Sequence, residues 1–358
     1  MLRESGLYNG DLMTVTVRSF AKINLGLRIG AARADGFHDL LTVYQTIGLH
    51  DVIRVSIGRG SGIEIQCADP RVPRDESNTC FRIVERAMHS LRAKGRVVIE
   101  IDKRLPVQGG LGGASANAVA TMLGLERALK KTLPAAERLR IAAEVGSDLP
   151  LFLVGGTVLG VGRGEQVYPL QDLPAMPCVV VTPDVGVSTP KAFAEWDRRC
   201  AQGSCGAGTL ARQAAPLHTS SGSPQAKLTA SPASDRMIEL GRGLSAWLSG
   251  LYSGAPSDLK GRGRAENPLL WLVRAGIQND FEQVVFPEYP ELLEGKGALL
   301  RAGAKYASLS GSGSTLYGLF ASREAATRAA ARLRRQGWTA LATATLTRQA
   351  YWKRMTAG

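Results

Sequence analysis

The stretch LPVQGGLGGASANAVATMLGL, residues 105–125, contains no charged side chain, and its first half is rich in glycine. A membrane span, a flexible hinge, or a loop that closes backbone amides around an anion would each account for such a stretch. It is long enough to cross a bilayer, but its proline, glycines and polar side chains make it too polar for that purpose. The choice between the other two interpretations depends on what precedes and follows the loop.

The loop lies between a predicted strand and a predicted helix. The strand ends near Asp102, and Val119, Met122 and Leu123 recur at helical spacing after the loop. A glycine-rich turn that opens a helix exposes unpaired backbone N–H groups at the positive end of the helix dipole, and these attract phosphate. GGLGGAS, residues 109–115, has this arrangement, although a glycine cluster alone is more often only a turn. The segment lacks the lysine of a P-loop and the third glycine and later acidic residue of a dinucleotide-binding fingerprint.

Length and composition limit the class of protein. The chain has 358 residues, more than one hydrophobic core usually organises, so we expect two domains, at residues 1–172 and 173–358. The content of 44% hydrophobic and 21% charged residues is typical of a globular protein with a buried core. The net charge of +13 favours anionic partners, namely nucleotides, phosphates or nucleic acid, without choosing among them.

Neither export nor a cysteine-based metal site is indicated. The five cysteines are widely scattered and form no C-x-x-C pair, so we expect free thiols in a reducing cytoplasm. Arg3, Glu4 and Asp11 interrupt the segment in which a signal peptide needs an apolar run. The sequence therefore predicts a cytoplasmic protein.

The N-terminal part has the pattern of a sheet with connecting helices. Apolar and polar residues alternate over residues 15–29, and Lys22 and Asn24 share the polar side of this predicted strand. A helix is predicted from Pro134 to Gly146, which leaves Asp148 just beyond a helix end. Further extended segments are predicted at residues 52–57, 63–65 and 97–101, and two more apolar segments follow at residues 151–162 and 167–170.

The C-terminal part begins after QDLPAMP, residues 171–177, a proline-punctuated stretch that we interpret as the domain boundary. Ala, Gly, Ser and Pro predominate at residues 201–234, which predicts a mobile or disordered insertion. Asp235 is a plausible cap for a following helix. A strand is predicted at residues 316–320, and a basic amphipathic helix follows it over residues 321–337.

Several motifs resemble those of a known kinase superfamily. LPVQGGLGGASANA resembles the P-x-x-x-G-L-G-S-S-A phosphate loop of the galactokinase, homoserine kinase, mevalonate kinase and phosphomevalonate kinase (GHMP) superfamily. The stretch at residues 20–51, GSDLPLFL at 146–153 and SLSGSGSTLYGLF at 308–320 are similar, in this order, to signatures of the members that phosphorylate 4-diphosphocytidyl-2-C-methyl-D-erythritol. The resemblance covers roughly residues 15–195 and 277–348.

The resemblance implies a fold and a reaction. The fold would be α+β, with an N-terminal nucleotide-binding domain like ribosomal protein S5 domain 2 and a C-terminal ferredoxin-like domain. Lys22 would hold the acceptor hydroxyl and the catalytic carboxylate, with Asn24 beside it, and Asp148 would accept the proton as the hydroxyl attacks the γ-phosphate of ATP. Taken alone, Lys22 would be a solvated strand residue and Asp148 a turn residue that caps the next segment.

ATP would bind at the phosphate loop, residues 106–116. The residues assigned to it are Pro106, Val107, Gln108, Gly109, Gly110, Leu111, Gly112, Gly113, Ala114, Ser115 and Ala116. In the family, glycine, glycine and serine are common where this chain has Gln108, Ala114 and Ala116. No Asp or Glu in the motifs is an evident metal ligand, so no metal-binding residue is assigned and Mg²⁺ is inferred from the chemistry of ATP.

The cytosine of the substrate would be stacked between Phe37 and Phe193, with His38 hydrogen-bonded to the edge of the base. Phe37 stands where the family usually has tyrosine, and core packing would explain either phenylalanine equally well. Further residues assigned to the substrate are Thr189, Gly311, Ser312 and Gly313. The predicted partner is therefore a small molecule, cytidine diphosphate-linked methylerythritol, rather than nucleic acid or a membrane.

Two other functions remain open on the sequence. Another GHMP kinase, acting on mevalonate or homoserine, would share the phosphate loop but has no use for a cytosine site. An RNA-binding protein would account for the charge of +13 and for the kinship with a ribosomal domain. The basic residues are spread along the chain without interleaved aromatic residues, which favours the kinases.

Overall fold

A computed structural model describes residues 14–107, 109–202, 237, 241 and 278–356. Gln108, nearly all of the predicted insertion and most of the predicted helix after Asp235 lie outside the described residues. The strands are β1 Thr14–Ala32, β2 His38–Gly58, β3 Ile63–Cys67, β4 Arg96–Asp102, β5 Thr157–Val161, β6 Gln166–Pro169, β7 Pro177–Val181, β8 Tyr306–Leu309, β9 Leu316–Leu319 and β10 Ala340–Ala344. The helices are α1 Thr79–Ser90, α2 Gly113–Leu129, α3 Ala135–Val145, α4 Leu149–Val154, α5 Thr189–Ala201, α6 Glu282–Glu288, α7 Pro290–Arg301, α8 Arg323–Arg335 and α9 Arg348–Met355.

The first sheet has six strands, in the order β3-β4-β2-β5-β6, with β1 paired to β2. Only β3 and β4 are parallel, and the other pairs are antiparallel. The helices α1, α2, α3 and α4 supply the apolar side chains that pack against this sheet. The glycine-rich loop therefore lies between β4 and α2, as the sequence predicts.

The long strand β1 is buried on both sides along most of its length. Val17 and Phe20 belong to the core beneath the first sheet, while Ala21, Ile23 and Leu25 pack with residues of the second sheet. Because the middle of β1 lies between the two cores, Lys22 and Asn24 are only 3% and 1% exposed. This burial rules out the interpretation of Lys22 as a surface lysine.

The second sheet has four antiparallel strands, in the order β10-β7-β9-β8. Apolar residues of α5, α6, α7 and α8 form its core with Leu27 and Ile29 of β1. After β10 the chain returns to the first sheet, where Leu346, Tyr351 and Met355 join the core of that sheet. The last residues of the predicted second domain thus pack with the first, and the boundary at residues 172 and 173 stays a prediction.

Most predicted elements are confirmed. The helix between Pro134 and Gly146 is α3, and the basic helix is α8. The apolar segment at residues 151–162 is divided between two elements: Leu151 to Val154 belong to α4, and β5 begins at Thr157. Gly155 and Gly156 separate the two elements because both adopt positive φ values, 69° and 70°, which favour glycine.

The cysteines require a correction of the sequence prediction. Cys67, Cys80 and Cys178 are free and buried, and burial raises the pKa of the Cys80 and Cys178 thiols to about 12. Cys200, at the end of α5, is disulfide-bonded, so the prediction of free thiols is wrong there. Spacing along the chain does not tell which sulfur atoms approach one another.

No helix among the described residues is long and apolar enough to span a membrane.

Candidate active site

A cavity of about 550 Å³ opens between the two sheets. Its walls come from β1, β2, the phosphate loop, the start of α4, the start of α5 and the loop at residues 310–315, which we call the serine-glycine loop. Predicted site residues on these walls are Lys22, Asn24, Gly110, Gly112, Asp148, Thr189, Phe193, Gly311, Ser312 and Gly313. Four separate motifs of the sequence, at residues 20–51, 105–118, 146–153 and 308–320, therefore meet at one place.

Lys22, Asn24 and Asp148 form the polar centre of this cavity. The Nζ atom of Lys22 donates a hydrogen bond of 2.6 Å to Oδ1 of Asn24 and lies 3.5 Å from Oδ2 of Asp148. Asn24 Nδ2 in turn donates to the hydroxyl of Thr42 at 2.8 Å, which fixes the orientation of the amide. The ammonium group is thus held between a neutral acceptor and a carboxylate, and both partners face the cavity.

Asp148 precedes α4 at the position where a capping residue would stand. Its side chain forms no capping hydrogen bond and is 33% exposed. The carboxylate instead accepts a hydrogen bond of 3.1 Å from the hydroxyl of Tyr44 on Oδ1. The interpretation of Asp148 as a helix cap is therefore wrong. Tyr44 was not among the predicted site residues, because Asp148, to which its hydroxyl donates, lies 104 residues away in the sequence.

The phosphate loop borders a second cavity of about 350 Å³, and Gly110 and Gly112 line both cavities. Helix α2 begins at Gly113, directly after Gly112, which has a φ of 68° and provides no side chain to cap the helix. The first backbone N–H groups of α2 are therefore free of a side-chain cap, as an anion site at a helix N-terminus requires. Pro106, Val107, Gly109, Leu111, Gly113, Ala114 and Ser115 also line this second cavity, whereas Ala116 is buried in the helix.

The phosphate loop and the serine-glycine loop are in direct contact. The hydroxyl of Ser310 donates to the carbonyl of Gly110 at 2.9 Å, and the backbone N–H of Thr315 donates to the carbonyl of Gly109 at 3.2 Å. A Cβ atom on Gly110 would collide with the carbonyl oxygen of Ser310. The backbone N–H of Lys22 also donates to Leu111, at 2.9 Å. These contacts fix the phosphate loop relative to the reacting side chains.

Asp51, at the middle of β2, anchors the start of the phosphate loop. Its fully buried carboxylate accepts hydrogen bonds from Lys103 Nζ at 2.8 Å, from the backbone N–H groups of Arg104 and Leu105 at 2.7 Å each, and from Asn117 Nδ2 at 2.9 Å. Sequence reasoning missed this residue. The available signal was an acidic residue inside an apolar strand, which is rarely left without partners.

Asn279 and Asp280 anchor the serine-glycine loop to β1 in a similar way. Asn279 Nδ2 donates to the carbonyls of Leu309 at 2.9 Å and Gly311 at 2.7 Å. Asp280 accepts from Arg28 Nη1 at 2.9 Å, and this pair is buried. Both residues were also missed, because their partners are not sequence neighbours: Asn279 binds groups 30 and 32 residues further on, and Asp280 binds Arg28, 252 residues before it.

The predicted nucleobase site is only partly assembled. His38 stacks on Phe193, with ring centroids 4.8 Å apart and an interplanar angle of 14°, and its Nε2 atom lies 2.6 Å from Oδ1 of Asp197. Phe193 also meets the edge of Phe281 at 5.0 Å. Phe37 is 49% exposed, and its ring lies 4.9 Å from the guanidinium carbon of Arg163.

The far wall of the cavity joins α5 to the serine-glycine loop. The hydroxyls of Thr189 and Ser312 are 2.7 Å apart, so one donates a hydrogen bond to the other.

In the ranges that the structure describes, no group of three or more His, Cys, Asp or Glu residues could hold a metal ion.

Comparisons with known proteins agree with this geometry. The family of GHMP kinases N terminal domains matches residues 78–156, and the family of GHMP kinases C terminal domains matches residues 266–338. The chain is 36% identical over 313 residues to the 4-diphosphocytidyl-2-C-methyl-D-erythritol kinase of Solibacter usitatus (strain Ellin6076), covering 87% of this chain and 83% of that protein. It is 34% identical over 320 residues to the enzyme of the same name from Nocardia farcinica (strain IFM 10152), covering 89% of each chain.

A solved structure gives the same result. The crystal structure of a 4-(cytidine 5'-diphospho)-2C-methyl-D-erythritol kinase superposes with a TM-score of 0.65 at 26% sequence identity, covering 92% of this chain and 99% of that chain. The predicted α+β fold, with an N-terminal part like ribosomal protein S5 domain 2 and a ferredoxin-like C-terminal part, is confirmed by these matches.

Proposed function

Because this chain belongs to the family of 4-diphosphocytidyl-2-C-methyl-D-erythritol kinases, we propose that it transfers the γ-phosphate of ATP to the 2-hydroxyl of 4-diphosphocytidyl-2-C-methyl-D-erythritol, a step of isoprenoid precursor synthesis. The observation that supports this reaction most directly is the meeting of Lys22, Asp148 and the phosphate loop at one cavity. A cation, a proton acceptor and a phosphate site are the groups that phosphoryl transfer to an alcohol requires.

In the proposed step, the hydroxyl oxygen of the acceptor attacks the γ-phosphorus. The new oxygen–phosphorus bond forms as the bond between that phosphorus and ADP breaks, and the hydroxyl proton passes to Asp148. Carboxylates and alcohols differ in pKa by roughly 12 units, or about 16 kcal/mol, so the proton cannot leave before the attack. Asp148 therefore acts mainly by orienting the hydroxyl and accepts the proton late, as the new bond forms.

Lys22 has two roles in this proposal. Its ammonium group, 3.5 Å from Asp148 Oδ2, helps to orient the carboxylate and supplies positive charge near the transferred group. The hydrogen bond to Asn24 holds the lysine in this orientation. Since Lys22 is buried, its charge acts with little screening by solvent.

ATP would place its phosphates against the phosphate loop and the N-terminus of α2. The second cavity, on the side of the loop away from Lys22, has room for the adenosine. Mg²⁺ would accompany the triphosphate and neutralise part of its charge. Mg²⁺ keeps several waters and needs few protein oxygens, so the hydroxyl of Ser115 would suit it without a cluster of acids.

The cytidyl group would bind at His38 and Phe193. Phe193 lines the cavity and is held there by stacking on His38, so it would offer an aromatic surface to the base at the rim of the cavity. Phe37 would supply the second aromatic face, and Thr189 and Ser312 would border the substrate.

The cytoplasmic location and the domain boundary at residues 172 and 173 are likewise proposals drawn from the sequence.

Two alternatives are less well supported. A kinase for mevalonate or homoserine would share the reacting centre, but it gives no reason for the stacked His38 and Phe193. An RNA-binding protein would give no reason for an ion pair between Lys22 and Asp148 at a glycine-rich loop.

A panel of acceptors tests the proposal. The purified full chain is incubated with ATP, Mg²⁺ and either the cytidyl compound, mevalonate or homoserine, and ADP release and the mass of the product are measured. We expect phosphate transfer to the cytidyl compound only. Transfer to mevalonate or homoserine without transfer to the cytidyl compound would overturn the proposal. Salt-sensitive RNA binding without ATP turnover would favour the nucleic-acid alternative.

A further inference from the structure

Tyr44 is a buried residue of β2 that lies opposite Asn24 in the register between β1 and β2. It lines the main cavity, and only 2% of it is exposed. Its ring centroid lies 5.7 Å from the Nζ atom of Lys22. The tyrosine therefore belongs to the same polar centre as the two proposed reacting side chains.

The two oxygens of Asp148 have different partners. Oδ1 accepts the hydrogen bond of 3.1 Å from the Tyr44 hydroxyl, and Oδ2 lies 3.5 Å from the Lys22 ammonium. A carboxylate held at both oxygens cannot rotate freely about its Cβ–Cγ bond. The orientation of Asp148 is therefore set by two side chains that approach from different strands, and the rest of its exposed surface faces the cavity.

The fold makes room for this tyrosine at two glycines. A Cβ atom on Gly160 would lie 2.5 Å from Cε2 of Tyr44, and a Cβ atom on Gly164 would meet its hydroxyl oxygen. Gly160 lies on β5, and Gly164 lies in the turn that follows with a φ of 97°. The backbone at Gly160 and Gly164 therefore packs closely around the Tyr44 ring and its hydroxyl, which restricts the movement of the phenol.

The Tyr44 hydroxyl stays a donor at the pH values at which enzymes work. Burial, and secondly the negative charge of Asp148, hold the pKa of this phenol well above its usual value. A neutral phenol has one O–H group, and here that group is directed at a carboxylate.

We propose that Tyr44 is a positioning residue that fixes the Asp148 carboxylate for the attack of the acceptor hydroxyl. With Oδ1 occupied by the tyrosine, Oδ2 and Lys22 are left to receive the hydroxyl. This inference rests on the proposed phosphoryl transfer. It assigns Tyr44 an effect on the rate of the chemical step, because small errors in the orientation of a reacting group slow the step strongly.

The variant Tyr44→Phe tests the inference, because it keeps the ring in its cavity and removes only the hydroxyl. We expect kcat to fall about 10-fold, the effect of losing one hydrogen bond to a charged group, while the KM values for ATP and for the acceptor change less than about 2-fold. The matched control is Tyr351→Phe, because the Tyr351 hydroxyl is also buried and donates to the carbonyl of Phe152 on α4 at 2.7 Å. We expect this control to lower the melting temperature and leave kcat unchanged.

A double-mutant cycle distinguishes positioning from packing. In an Asp148→Ala background, Tyr44→Phe should cause no further loss of residual activity, since the group it positions is absent. An equal loss with and without Asp148 would overturn the inference, as would a wild-type kcat in Tyr44→Phe. A change confined to the KM of the acceptor would make Tyr44 a substrate contact and would also overturn it.

The same assay separates this inference from the proposed function. Wild-type enzyme is measured in parallel, and the variants are assayed with whichever acceptor the wild type phosphorylates. A wild type inactive on the cytidyl compound but active on another alcohol contradicts the proposed substrate and still tests Tyr44. An active wild type with an unaffected Tyr44→Phe contradicts the positioning role alone.

Discussion

The reacting centre and the nucleobase end of the cavity are built differently. At the reacting centre, Lys22 and Asp148 are held by side chains and backbone from several elements, with hydrogen bonds between 2.6 and 3.1 Å. At the nucleobase end, His38 and Phe193 are stacked, but Phe37 is 49% exposed and contacts only the surface residue Arg163 among the ring contacts that the structure describes. The difference corresponds to what each end must do.

Phosphoryl transfer needs reacting atoms within a fraction of an ångström of their productive positions. Stacking on a flat base tolerates sliding, because its energy varies slowly with the offset of the two rings. A rigid centre and a more open rim are therefore compatible with one substrate. We therefore expect substitutions at the reacting centre to lower kcat, and substitutions at the nucleobase end to raise the KM of the acceptor.

The largest effect is expected for Asp148→Asn. The amide has the shape of the carboxylate but cannot accept the proton, so kcat should fall about 10³-fold while the Kd of ATP stays within about 2-fold. Single-turnover kinetics and equilibrium ATP binding measure the two quantities. Glu100→Gln is the control, because it removes the carboxylate of a β4 residue from an exposed ion pair with Arg54 of β2. A near-normal kcat in Asp148→Asn would remove this residue from the proposed chemistry.

A second large effect is expected at Gly110, where the backbone of the phosphate loop contacts the serine-glycine loop. Gly110→Ala places a methyl group against the Ser310 carbonyl, so the two loops must separate, and kcat/KM for ATP should fall about 100-fold. The φ of Gly110 is 74°, so alanine there also adds backbone strain of about 1 kcal/mol. Gly337→Ala is the control, because Gly337 has a φ of 91° and open space where the Cβ would lie. Equal losses of ATP kcat/KM in the two variants would mean that strain, not loop contact, accounts for the effect.

The sequence predicted what depends on neighbouring residues. The helix between Pro134 and Gly146 follows from local start and stop signals, and the turn before α2 follows from its glycines. Asp148 could be assigned because the motif that contains it, GSDLPLFL at residues 146–153, resembles a motif of the family. In each case the signal lies within a few residues of the element that it predicts.

The remaining features depend on contacts between distant parts of the chain. Asp51 binds groups more than fifty residues away, and Asn279 binds the serine-glycine loop thirty residues further on. Alternation along β1 predicts two faces but not what covers the second one, so only the family resemblance distinguished Lys22 from a solvated strand residue. Tyr44 was also missed, because its partner Asp148 is 104 residues away in the sequence.

The smallest effects are expected at the nucleobase end, and they should differ between its two phenylalanines. Phe193 is already packed between His38 and Phe281, so Phe193→Ala removes an ordered stacking surface and should raise the KM of the cytidyl substrate about 10-fold. Phe37 is half-exposed, so Phe37→Ala should raise the same KM only about 3-fold. Neither variant should change the KM of ATP, because neither residue borders the phosphate loop.

Steady-state kinetics with both substrates varied measures this difference, and Phe37→Tyr serves as the control that keeps the ring. Tyrosine is the usual residue of the family at this position, so its hydroxyl should leave the KM of the cytidyl substrate unchanged or lower it. An equal rise of the KM for ATP and for the cytidyl substrate in Phe193→Ala would place the aromatic cluster outside the nucleobase site. A larger effect at Phe37 than at Phe193 would mean that the exposed ring closes over the base when substrate binds, and the rim would then be as ordered in the complex as the reacting centre is without it.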